Sequence, residues 1–256
     1  MWSTRANSKL VLSEFEKNPY IPINYSRLLT GIPINEKKVL IIGANSGYEA
    51  SLFINDGAKK VVGIDVFTPK IVFKHRKYRF VESAAESLPF PDNQFDIVYS
   101  QAVLEHVVNI EKTWAESVRV TKGGGYVAHV ASPLWFSRDG HHRPDIFGNF
   151  PWCHIGRNTE QWKEWVLSND FFANRMEEVV EAVEYCSQRS NINQEPPSAY
   201  TDALNVLKGI RVIQNTFDLD QISVQEIPKD VIERLPSGIV LEDLIRFTHL
   251  GIVQKS

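Results

Sequence analysis

Residues 39–50 read VLIIGANSGYEA. The apolar run Val39–Ile42 reads as a buried strand, Gly43, Ala44 and Gly47 as a tight turn, and the residues beyond as the start of a helix. Such a unit brings backbone close to a nucleotide-type ligand. Asn45 stands where a dinucleotide loop would carry its middle glycine, and asparagine tolerates left-handed backbone better than most side chains. On this loop alone, a glycine turn that holds no ligand fits as well.

Moving outward, KKVLII, KKVVGIDV, YRFVES, FDIVYS and GYVAHVAS are short β-branched or aromatic runs separated by segments of helical character. That alternation predicts a mostly parallel sheet flanked by helices. The stretch from Asp65 to Phe80 is short for a full crossover helix. NIEKTWAESVRV places Ile110, Trp114 and Val118 on one helical face, with Gly123–Gly125 expected to stop the helix. TEQWKEWVLSND, with Thr159 as its expected N-cap, RMEEVVEAVEYCSQ and YTDALNVLKGIRVIQ also read as helices. QISVQEI and HLGIVQK alternate and read as two closing strands.

The 256 residues, 43% of them hydrophobic, are enough for one large α/β domain. A net charge of −3 gives no overall basic field, so nucleic acid is a disfavoured partner. The basic run Lys74–Arg79 reads as a solvated face. Cys153 and Cys186 are far apart and in no metal-ligand pattern, which fits a reducing compartment. No apolar run approaches the roughly 18 to 20 residues that span a bilayer, and the N-terminus lacks the apolar block of a signal peptide, so a cytoplasmic location without membrane is expected. A weak amphipathic pattern lies around Leu10–Phe15. One domain is expected over 1–256, made of a lid-like segment (1–35), a ligand-binding core (36–133) and a substrate-binding elaboration with closing strands (134–256).

Asp65 ends the second strand about 20 residues beyond the glycine loop, where a carboxylate can accept bonds from both hydroxyls of a ribose; a helix N-cap is the plainer use. Further on, Glu82–Val107 reads ESAAESLPFPDNQFDIVYSQAVLEHV and is followed by RVTKGGGYV. Here the chain resembles the class I S-adenosylmethionine-dependent methyltransferases, in particular those with the pattern AExLPFxDxxFDxVxSxxVLEHV. The resemblance runs over about residues 37–133 and is strongest from Ala85 onward.

The resemblance implies a Rossmann-like sheet of seven strands, the last antiparallel, with S-adenosylmethionine as cofactor. It would put the methionine part against Gly43, Ala44, Asn45 and Gly47, the ribose on Asp65, the adenine beside Ala85 and Glu86, and the sulfonium near Ser100 and Gln101. The chain departs from the family at Ile41 and Ala84, where acidic residues are usual, and at Asn45. A nicotinamide-dependent oxidoreductase would use the glycine loop and Asp65 but not LPFPDNQFDIVYS; a non-catalytic binder of the same cofactor would account for Ile41 and Ala84.

A sulfonium methyl group is already activated, so the protein has mainly to align an acceptor, exclude water and take up a proton. That directs attention to His106, near the start of a helix after the fourth strand, which suits packing or the role of base. The loop SRDGHHRPD adds Asp139, His141, His142 and Asp145, with His154 further on. Neighbouring histidines in extended chain face opposite ways, so one of His141 and His142 is expected to reach an acceptor. Hydrogen bonding within the loop, substrate binding or base catalysis by His141 or His142, and a divalent metal are the three uses such residues have; no metal site is assigned. Trp135, Phe136, Phe147, Phe150 and Trp152 read as core or lid packing. The expected reaction is methylation of an oxygen, rather than a nitrogen, of a small molecule or terminal sugar.

Overall fold

The structure is a computed structural model; it describes residues 20–68, 73–222 and 224–256, apart from the side chain of Tyr20. The Leu10–Phe15 pattern and most of the expected lid segment lie outside the described residues.

Strand β1 (Lys38–Ile42) is buried along its whole apolar run. Both its faces must therefore be covered, and both its edges are paired: β2 (Lys60–Asp65) on one side and β4 (Phe95–Gln101) on the other, both parallel. β3 (Tyr78–Glu82) extends the sheet beyond β2, and β5 (Thr121–Ala131) beyond β4. β7 (Arg246–Lys255) runs antiparallel between β5 and β6 (Ile210–Leu219), completing the order β3-β2-β1-β4-β5-β7-β6. The chain winds outward from β1 in one direction and resumes at β4 in the other. The crevice between the carboxyl ends of β1 and β4 is thus the topological switch point, where open α/β sheets receive ligands.

One face of the sheet packs on α3 (Ile110–Val120) and α7 (Pro197–Asn205), with Trp114 and Tyr200 fully buried. The other packs on α1 (Tyr20–Leu29) and α2 (Tyr48–Asn55), where Tyr25, Phe53 and Tyr99 meet edge to face at 4.9 to 6.0 Å. A third apolar cluster lies off the sheet. It is built from the long connections around β6: the single turn α4 (Pro144–Phe147), α5 (Thr159–Leu167), α6 (Met176–Ser187) and α8 (Lys229–Glu233), around Trp152, Trp162 and Phe172.

Several local expectations are corrected. Helix α7 ends at Asn205, and the stretch expected to prolong it is instead strand β6, entered through Gly209 at φ +66°. QISVQEI is no strand among its described residues; Val224–Glu226 is a 3-10 turn. The cap of α5 is Asn158, whose side chain accepts from Gln161 N–H while Gln161 returns the bond, so Thr159 is the first helical residue. Gly123–Gly125 lie in β5 rather than after α3, which ends at Val120. Between Val66 and Lys77 no described residue is helical.

Candidate active site

Two cavities open at the carboxyl ends of the strands. The smaller, of 600 Å³, runs from the β1 turn across the ends of β2 and β4. The larger, of 840 Å³, lies over the ends of β4, β5 and β7. They meet at Gln101, Ala102 and His106, which line both.

The smaller cavity is floored by a turn in which side chains are costly. Gly43 sits at φ +71°, and a Cβ there would overlap Val103 Cγ2 across the cavity mouth. Asn45 also lies left-handed, at φ +40°, and its N–H donates to Asp65 Oδ2 at 3.1 Å. Asp65 Oδ1 accepts from Val66 N–H at 2.8 Å. Burial pushes the Asp65 carboxyl up, while those N–H groups pull it back. Ala85 and Glu86 form the far wall; Glu86 Oε1 accepts from Val108 N–H at 2.9 Å. Ala44 and Gly47 shape the turn without lining the cavity: Ala44 is buried against Gly63, and Gly47 caps α2 at φ +94° beneath Phe73.

The pleat of β4 separates two neighbours that the resemblance had put together. Gln101 faces the cavities, with its Oε1 accepting from Tyr99 O–H at 2.9 Å. Ser100 therefore points through the opposite face, where its hydroxyl meets His129 Nδ1 at 2.6 Å in the core, and its side chain is not in either cavity wall. Ala102, next along, is held at φ +53°, an uncommon conformation for an alanine, by its N–H bond to Val130 O.

His106 is exposed at the junction. Its Nδ1 lies 2.6 Å from Asn191 O; a carbonyl can only accept, so Nδ1 carries the proton and Nε2 of the neutral ring keeps a lone pair. His142 stacks edge to face on it at 4.9 Å and lines the larger cavity, with its Nε2 donating to Pro133 O. Burial holds His142 down at about 3, so this ring is neutral.

His141 turns the other way. It is wholly buried in the third cluster against Phe147 and His154, outside both cavity walls. There the fold assembles a group the sequence spacing hid: ligating atoms of His141, Cys153 and His154 lie within 4.8 Å of one another. The two rings differ: His154 Nε2 donates to Trp135 O and leaves Nδ1 a lone pair without a partner. His141 Nδ1 accepts from Arg143 N–H, which leaves the proton on Nε2, where no acceptor meets it. Asp145 is paired with Arg143 at 2.8 Å and is likewise outside the cavities.

The residue that sequence reasoning passed over is Glu105. It stands in the wall of the larger cavity, wholly buried; Oε1 accepts from Ser132 N–H at 3.1 Å, and Oε2 has no hydrogen-bond partner. Burial raises its carboxyl to about 7. The stretch LEHV contained it, but nothing in the spacing told that this glutamate would be buried.

A seven-stranded sheet with one reversed strand, and a glycine turn and strand-end aspartate lining a cleft at its switch point, define the Rossmann-like methyltransferase fold. Residues 40–129 match the family described as "Methyltransferase domain", so over that stretch the chain is similar to the S-adenosylmethionine-dependent methyltransferases. The uncharacterized methyltransferase YcgJ of Bacillus subtilis is 35% identical over 99 residues, which cover 35% of this chain and 38% of that protein. The uncharacterized methyltransferase MLBr02584 of Mycobacterium leprae is 29% identical over 162 residues, covering 55% and 59%. The chain thus matches well under two thirds of the length of either relative. Among solved structures, a candidate sarcosine dimethylglycine methyltransferase from Galdieria sulphuraria superposes with a TM-score of 0.52 at 13% identity, over 92% of this chain and 84% of that one, a likeness of fold. No helix among the described residues is long and apolar enough to cross a membrane.

Proposed function

We propose that this chain binds S-adenosylmethionine in the smaller cavity and methylates a small molecule or terminal sugar held in the larger one. The cofactor supplies an activated methyl group on a positively charged sulfur. The residues present suit it: a turn that a Cβ at Gly43 would fill faces the amino-acid end, Asp65 offers carboxylate oxygens to the ribose, and Ala85 with Glu86 borders the adenine.

The observation that carries this reading is the meeting of the two cavities at Gln101, Ala102 and His106. A donor on one side and an acceptor on the other face each other there. With Nδ1 bonded to Asn191 O, the neutral form of the His106 ring offers its Nε2 lone pair to a proton of the acceptor. The same junction weighs against a protein that only binds the cofactor, since such a protein needs no second cavity. Ile41 is buried in strand β1, so the polar anchor it lacks must come from the turn itself.

Calorimetry tests the reading. S-adenosylhomocysteine is expected to bind while NADH does not; no heat with either S-adenosylmethionine or S-adenosylhomocysteine at millimolar concentration refutes it. A cytoplasmic location and a non-nucleic-acid, non-membrane acceptor belong to the same proposal, and rest on the charge and composition of the chain.

A further inference from the structure

The larger cavity carries an excess of negative charge. Four carboxyl groups, Glu105, Asp139, Asp218 and Asp220, stand in its wall against two guanidinium groups, Arg27 and Arg138. Arg27 grips both oxygens of Asp218, at 2.6 and 2.9 Å, and that pair is closed. Arg138 has to serve two carboxylates at once, Asp139 at 3.2 Å and Asp220 at 3.7 Å. One of those charges is left uncompensated. Asp139 shows the consequence: burial, and then repulsion from Asp220, hold its carboxyl up in spite of Arg138.

Glu105 adds an independent observation. Its Oε2 is buried, lacks any donor and belongs to a cavity-wall residue. A buried acceptor without a donor is costly, and natural structures retain one mainly where a ligand or water completes it. His142, in the same cavity wall, spends its proton on Pro133 O and has none to offer.

Resting on the methyl-transfer reading above, we propose that the acceptor is a protonated amine seated on Glu105, and that its nitrogen is the atom methylated. An ammonium group brings both the missing charge and several N–H donors, whereas a hydroxyl brings one donor and no charge. A carboxylate or phosphate acceptor would meet the uncompensated aspartate and be repelled. This reverses the oxygen preference expected from the sequence. In the step itself the ammonium gives a proton to the Glu105 carboxylate, which for an amine takes the place of His106 as base, and the freed lone pair forms the C–N bond to the methyl carbon. The C–S bond breaks with its electrons staying on sulfur, and the product is an N-methylammonium and a neutral thioether. The Glu105 proton then passes to solvent.

The test offers the purified chain, with S-adenosylmethionine labelled in its methyl group, three pools of size-matched small molecules: primary and secondary amines, neutral polyols including monosaccharides, and carboxylic acids. Label is expected in the amine pool, on nitrogen by tandem mass spectrometry. Label chiefly on a hydroxyl or a carboxylate overturns the amine proposal and leaves methyl transfer standing. Label in no pool, while S-adenosylhomocysteine binds by calorimetry, also overturns it; failure of that binding as well brings down the methyl-transfer reading itself. With a labelled amine in hand, Glu105→Gln is expected to lower kcat/KM by roughly 100-fold, the size of a lost proton acceptor, with S-adenosylhomocysteine affinity kept. Wild-type turnover in that variant overturns the role of Glu105.

Discussion

Gly43→Ala probes the smaller cavity where its geometry is tightest. At φ +71° an alanine sits in the left-handed region, at a cost of about 1–2 kcal/mol. Its Cβ would overlap Val103 Cγ2 and stand 3.5 and 3.7 Å from Val103 Cβ and Cγ1. A β-branched valine cannot yield without leaving its rotamer or moving the turn, and overpacking of this kind costs about 1–3 kcal/mol. Together these predict a loss of about 2–5 kcal/mol, or a fall in Tm of about 5–15 °C for a chain of this size. Because Gly43 and Val103 both line the cavity, S-adenosylhomocysteine affinity should fall as well. The companion change Val103→Ala, made in the Gly43→Ala background, removes the overlap but not the backbone strain. It should recover about half of the lost stability. Thermal unfolding and calorimetry on the four proteins of this double-mutant cycle provide the readout. Wild-type stability and affinity in Gly43→Ala, or no coupling between the two sites, would refute the reasoning.

Asn45→Gly should leave S-adenosylhomocysteine affinity unchanged or slightly improved, since at φ +40° the side chain is tolerated rather than required and the bond to Asp65 is made by backbone N–H; a collapse of binding in calorimetry contradicts this. Glu105→Gln should stabilise the ligand-free chain at high pH. With the carboxyl raised to about 7 when folded and near 4.3 when unfolded, stability is lost as pH rises through that window, by up to about 1.4 kcal/mol per pH unit. Urea unfolding should show the variant more stable than wild type by about 2–3 kcal/mol at pH 8 and no more stable at pH 4; equal stability at pH 8 rules the burial argument out. Burial also lowers His129, His141, His154 and His249 to about 3, 2, 4 and 4. The unfolded chain protonates these rings near 6.5, so the stability they confer is complete above that pH and is lost as pH falls toward 4, by up to about 1.4 kcal/mol per unit for each ring. The urea midpoint should drop steeply between pH 7 and 5.5, and a flat midpoint would contradict the neutral assignment.

The core of the fold was legible because β1 and β2 are buried on both faces and so read as nearly unbroken apolar runs, with Gly43 and Asp65 at fixed places on their ends. Strand β6 was not. It lies at the sheet edge with half-exposed residues of mixed pattern, and it follows α7 after only four residues, so that periodicity ran the two together although Gly209 marked the break. The inward turn of Gln101 and outward turn of Ser100 could have been foreseen from strand alternation, once Tyr99 and Gln101 were set on one face. The larger cavity lay beyond sequence reasoning for a different reason. Its wall joins α1 to the end of β6, as in the ion pair between Arg27 and Asp218, 191 positions apart. No local pattern encodes such a meeting. Nor does one tell that Glu105 is buried while His106, next to it, is exposed.

Donor and acceptor are expected to meet where the two cavities join. A crystal structure of the chain with S-adenosylhomocysteine tests it most directly. Ribose hydroxyls are expected on Asp65, adenine beside Ala85 and Glu86, and a sulfur at Gln101, Ala102 and His106 that looks into the larger cavity. A ligand bound elsewhere, or a sulfur walled off from that cavity, would contradict it.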